Sequence, residues 1–197
     1  MRFFCLALLL LFNSCTEDHP SNDNGWDEEW ETYISIAGQA IYSSDMSEIE
    51  KAVEYLDGII EKDGEKYINS IYYDKAQLLF RLGKNTEALG TLNKSEFNYD
   101  LQKAGLLILM GNNEDAQILL DGFLSAYIRG VNSTKKIEES HVGILVVVSF
   151  LSGRSFDEVL QGNRNRKLNA KMLRDYTIKF EITKEAILRS WWPDGQS

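Results

Sequence analysis

Few residues in this 197-residue chain have types suited to chemistry. The two histidines are His19 and His141, and only His141 has a carboxylate at helical spacing, Glu138 three residues before it. One helical face can present such a pair to a metal ion. Two ligands do not complete a site, and a solvated helix start explains the pair as well. Asp27, Glu28, Glu29 and Glu31 supply clustered carboxylates. Paired carboxylates hydrolyse glycosides only when held at a defined separation across a cleft. Here they alternate with Trp26 and Trp30, the pattern of an amphipathic helix with a charged outer face and an indole stripe, which could instead stack on a sugar. Gly83-Lys84-Asn85 lacks the further glycines and the Ser/Thr of a phosphate loop. Cys5 and Cys15 are the only cysteines, so the chain after residue 15 has no thiol nucleophile, internal disulfide or cysteine-held metal. We therefore expect no enzyme, no cofactor and no metal centre.

Charge narrows the partners. The formal net charge is −9, which argues against nucleic acid and against a surface that hugs anionic lipid. A local basic stretch, Arg164, Arg166, Lys167, Lys171 and Arg174, has no interleaved aromatics. It reads as a solvated face or as a contact for an acidic patch on a partner.

The elements that position these residues begin with the amino terminus. After Arg2, residues 3–12 (FFCLALLLLF) contain no polar side chain. Ten residues are too few to cross a bilayer, which takes about 20, but they suit the apolar core of a leader peptide. The run stops at Asn13-Ser14-Cys15 and turns acidic. This resembles a bacterial lipoprotein signal, with small or polar residues just before the cysteine. The resemblance implies a signal peptide over 1–14, cleavage between Ser14 and Cys15, and acylation of Cys15. Phe12 and Asn13 fit the pattern loosely, and the alternatives are an ordinary secretory leader with an incidental Cys15 or a short buried helix. Residues 15–25, polar and broken by Pro20 and Gly25, would form a flexible tether. Thr16 is not the aspartate linked to inner-membrane retention, so the resemblance implies an outer-membrane anchor, facing the periplasm or the cell surface.

From Trp26 to Trp192 there is no proline. Glycines fall at turn positions such as Leu82-Gly83-Lys84 and Met110-Gly111-Asn112, where they can end helices in the left-handed region. Ile49, Val53, Leu56, Ile59 and Ile60 share one helical face. Ser155-Phe156-Asp157-Glu158 reads as a capping box that opens a further helix. Ile144-Leu145-Val146-Val147-Val148 could be a buried strand, but its place before Gly153 favours a buried helix. The expected fold is all-α.

Two segments repeat. Residues 72–95 (YYDKAQLLFRLGKNTEALGTLNKS) align with 100–123 (DLQKAGLLILMGNNEDAQILLDGF) at an offset of 28 residues. Ala76 matches Ala104, Leu79 matches Leu107, Gly83 matches Gly111, Ala88 matches Ala116 and Leu92 matches Leu120. This resembles the tetratricopeptide repeat, a helical hairpin of about 34 residues. The departures are Lys75 and Lys103 at apolar positions, no closing proline and a short offset. A degenerate earlier unit would run from Ile34 to Ile60 with Gly38, Ile41, Ala52 and Leu56, and a later one from Val142 to Leu160. The implied body, 26–197, is a short divergent α-solenoid of helical hairpins. The bland alternative is an irregular helical bundle.

In that family the first helices line a groove for peptides or protein segments. The carry-over places Tyr73, Gln77 and Arg81 on the groove, with Leu101, Gly105 and Ile108 from the second segment. Trp191-Trp192-Pro193 could cap the core or dock a partner. The expected function is a membrane-anchored module that binds another protein or peptide. An immunity protein neutralising a toxin in the periplasm or at the surface is a second expectation, and a carbohydrate-binding accessory protein a third.

Overall fold

In the computed structural model, residues 26–63, 68–165 and 167–194 are described. Cys5, Cys15, His19, the proposed leader and the tether lie outside them. The described residues form helices and no strands: α1 (Trp26–Tyr42), α2 (Met46–Asp63), α3 (Ile68–Arg81), α4 (Asn85–Leu92), α5 (Asp100–Leu109), α6 (Asn113–Ser133), α7 (Glu139–Ser152), α8 (Phe156–Val159), α9 (Ala170–Phe180) and α10 (Lys184–Trp191). The described residues are all-α, as expected. Among the described residues no helix is long and apolar enough to cross a membrane.

Two compact units divide these elements. The first contains α1 to α4 together with residues 191–194, and the second spans 100–190. In the first unit, α3 packs against α1, α2 and α4 and is therefore its central helix. Its core joins Tyr33, Ala37 and Ile41 of α1, Ile49, Ala52 and Leu56 of α2, and Ile71 and Leu78 of α3. Val53, Ile59 and Ile60 pack on that core from the same face of α2, as their spacing predicted. Gly38 is not the small residue at the packing face. Ala37, at 1% exposure, takes that place, and a methyl group added at Gly38 would meet nothing within 4 Å. Ile41, the other residue expected on that face, does lie in the core.

The second unit builds its core from Leu106, Leu120, Leu145, Leu151 and Leu173, all fully buried. Ile144–Val148 lies within α7, so the β-branched run is helical. Leu145, Val146, Val147 and Val148 are all buried, which explains why periodicity alone could not separate helix from strand. The capping box at Ser155 forms, with the Ser155 amide donating to Glu158 Oε2 at 2.7 Å. The helix it opens lasts only four residues.

The α3–α4 and α5–α6 hairpins are alike in detail. At the first turn, Lys84 N donates to Leu79 O and Gly83 N to Phe80 O, both at 2.9 Å. At the second, Asn112 N donates to Leu107 O at 2.9 Å and Gly111 N to Ile108 O at 3.0 Å. Both turns are Schellman motifs, closed by glycines at φ 73° and 80°. Every aligned pair of Ala and Leu is buried in both hairpins. Lys75, half-buried on α3, pairs with Asp57 of α2.

A methyl group at Gly83 or Gly111 would find open space, so only the left-handed backbone resists it. That conformation costs an L-residue roughly 1–2 kcal/mol, partly offset by a less flexible unfolded chain. Gly83→Ala and Gly111→Ala should each lose about 1 kcal/mol in urea denaturation. Gly38→Ala, in a right-handed helix, should gain about 0.5–1 kcal/mol.

Candidate functional site

The densest set of polar and aromatic side chains lies along α3. Because three helices surround it, side chains that would face solvent on an outer helix are enclosed here. Gln77 and Arg81 are buried, with 7% and 9% exposure, and Tyr73 is half-buried.

Each of the three is engaged by the chain itself. Gln77 Nε2 donates to the carbonyl of Trp191 at 2.7 Å, and Tyr73 Oη donates to the same carbonyl at 3.3 Å. Trp192, 2% exposed, stands edge-on to Tyr73 with centroids 6.1 Å apart and tilts against Phe80 at 5.4 Å. Tyr99 stacks on the other ring partner, Tyr73, at 5.4 Å. The terminal tryptophans and Pro193 are therefore buried and cap the first unit. Arg81 donates from Nη1 to the Ile41 carbonyl and from Nη2 to the Ser43 carbonyl, the latter at 2.5 Å. Those carbonyls end α1, where a cation also complements the helix dipole.

Leu101 is buried, Gly105 is buried and Ile108 is half-buried, all within the second unit. The side chains of Trp26 and Trp30 are outside those described. Glu138 and His141 are joined in the cap of α7, where the Glu138 amide donates to His141 Nδ1 at 3.1 Å. That bond uses the imidazole nitrogen as an acceptor. Among the described residues no group of three or more His, Cys, Asp or Glu is placed to hold a metal.

Asp74 is a member of this cluster that the sequence did not single out. Its carboxylate accepts a hydrogen bond from the Tyr33 hydroxyl, which ties α3 to α1. Burial pushes Asp74 up to about 6, against which the Tyr33 bond works in the opposite sense. The Tyr33 hydroxyl is itself pushed up, first by burial and then by the neighbouring Asp74 charge. Tyr73 and Tyr99 are likewise raised, chiefly by burial. No regularity of spacing links Tyr33 to Asp74, and only the fold brings them together.

No protein-family model, curated protein or solved structure matches this chain. A carboxyl titrating near 6 between phenols can exchange a proton at physiological pH, but its bond to Tyr33 also serves to hold two helices together.

The linkage has a definite sign. Asp74 binds a proton more tightly folded than unfolded, so its protonated form favours the fold. That contribution is complete below pH 4, fades as pH rises through about 6, and is gone above it. Asp74→Asn keeps an acceptor for Tyr33 and carries no charge. It should stabilise the chain at pH 7.5 by roughly 2 kcal/mol and give little or no gain at pH 4.5. Urea denaturation at the two pH values checks this. An equal effect at both would show that desolvation of the carboxylate is not the cause.

Proposed function

We propose that this chain is a lipid-anchored, non-catalytic module that binds another protein in the bacterial cell envelope. The apolar run ending at Cys15 and the acidic residues that follow support the anchor. The two hairpins, with matching Schellman turns and matching buried alanines and leucines, support a tetratricopeptide-like body. This duplication is the observation that carries the reading. A repeated hairpin has a fixed core and leaves its outer residues free to vary, which suits binding by surface contact.

The inward face of α3 is a poor choice for that contact. Gln77 and Arg81 already spend their donors on Trp191, Ile41 and Ser43. A partner seated there would first have to expel the terminal tryptophans. The binding surface is better sought among exposed residues.

The anchor is tested by expressing the full chain and Cys15→Ala in a bacterium that processes lipoproteins. The wild-type chain should fractionate with membranes and resist extraction by salt. Cys15→Ala should lose the membrane association and retain its helical circular dichroism. Unchanged fractionation of the variant would reject lipid attachment at Cys15.

A further inference from the structure

Between Arg129 and Lys179 the sequence carries ten Lys or Arg and only five Asp or Glu, in a chain whose net charge is −9. The fold of the second unit gathers several of these cations. Asn132, near the end of α6, accepts from Arg164 N at 2.6 Å and donates to the Gly162 carbonyl at 3.0 Å. Asn165 donates to the Thr134 carbonyl at 3.1 Å. These bonds hold the segment after α8 against the α6–α7 turn, bringing Arg164 and Lys167 beside Lys135. Asn163 secures the same segment by donating to the carbonyls of Asn165 and Leu168, at 3.1 and 3.0 Å. Asn169 then caps α9, accepting from Met172 N at 3.2 Å, and the first turns of α9 carry Lys171 and Arg174.

Lys135, Arg164, Lys167, Lys171 and Arg174 are all exposed. Among the described residues none of the five is within ion-pair distance of a carboxylate, whereas Lys136, Arg154 and Lys179 are paired with Glu138, Asp121 and Glu139. The backbone beneath the five cations is fixed by side-chain bonds, and their charge is left for solvent.

We propose that this patch docks an acidic segment of a partner protein. The inference rests on the protein-binding reading above and gives that partner a chemistry. Charge complementarity selects an anion. The acidity of the rest of the chain selects a compact one. A segment of six extended residues spans about 20 Å and can meet the patch alone. The net charge of −9 opposes approach to an extended anionic sheet, a repulsion that salt weakens. Single-stranded nucleic acid would need aromatic platforms, and none lies between Arg164 and Arg174.

The test uses the full mature chain, a fluorescent peptide of eight alternating Glu and Asp residues, and vesicles of phosphatidylglycerol in phosphatidylcholine. The peptide should bind, and raising salt from 50 to 300 mM should weaken it at least fivefold. The variant K135E/R164E/K167E should weaken it at least tenfold. Among the described residues these three side chains have no hydrogen-bond or ion-pair partner, so the variant's circular dichroism should match wild type. The charge-neutral variant K135Q/R164Q/K167Q should fall between. No peptide binding, or binding indifferent to both variants, overturns the patch. Vesicle binding as strong as peptide binding, and lost in the same variants, overturns the assignment to a protein segment. Either failure leaves protein binding through another surface open to the cross-linking measurement described below. Peptide binding without any cross-linked partner would instead contradict the functional reading.

Discussion

Trp192→Ala should cost the first unit about 3–5 kcal/mol, the range for deleting a fully buried aromatic side chain. Trp192 is 2% exposed and sits between Tyr73 and Phe80, so its removal leaves a void lined by rings on the central helix. The loss should extend beyond the void. Without the indole, the buried Trp191 and Pro193 are the apolar anchors left to residues 191–194, and the Trp191 carbonyl that receives Gln77 and Tyr73 is less firmly placed. Gln77 Nε2 would then keep only its longer bond to Tyr73 Oη, at 3.3 Å, and a buried donor left partly satisfied costs roughly 1 kcal/mol more. Urea denaturation followed by far-ultraviolet circular dichroism avoids dependence on the deleted fluorophore. Trp192→Phe should recover about half of the lost stability. A cost below 1 kcal/mol for the alanine variant would mean that the terminal segment is not a structural cap.

Arg81→Met should lose about 2–4 kcal/mol. Methionine keeps the apolar stem but removes the guanidinium that serves two carbonyls at the end of α1. Hydrogen bonds from charged donors are worth about 1.5–3 kcal/mol, and acceptors left dry add to the loss. Because the guanidinium is bonded on the carbonyl side only, Arg81→Lys should be an incomplete rescue. Lysine brings one point of donation where the fork reaches two carbonyls. Hydrogen exchange should show the damage at the amides of the last turn of α1 before it shows in α2. A variant as stable as wild type would remove Arg81 from the packing of α1.

Both residues show what could and could not be read from the sequence. The hairpin turns were legible because their bonds close within six residues and require a left-handed residue, which glycine supplies cheaply. The alanine and leucine positions were legible because they recur at a fixed offset. The burial of Gln77 and Arg81 was not. The repeat resemblance placed them on an open groove, and their partners lie 114 and 40 residues away. Nothing local signals that a terminal carbonyl will arrive there. Asp74 was passed over for the same reason, since Tyr33 is 41 residues distant. The slip from Ala37 to Gly38 has another origin. Both residues are small, and the apolar face of α1 is broad enough to tolerate a turn of one position. The basic stretch was visible as composition, but its gathering beside Lys135 depends on asparagine side chains that bond across some thirty residues.

The functional reading is tested most directly by lysine-reactive cross-linking in intact cells expressing the full chain at native level, with cross-linked peptides identified by mass spectrometry. Exposed lysines occur on both units, so a bound protein would fall within reach of the reagent. The account predicts cross-links that converge on one partner protein, with the Lys135–Lys171 region joined to peptides rich in Asp and Glu. Cross-links confined to this chain, in cells where known envelope complexes cross-link normally, would contradict it.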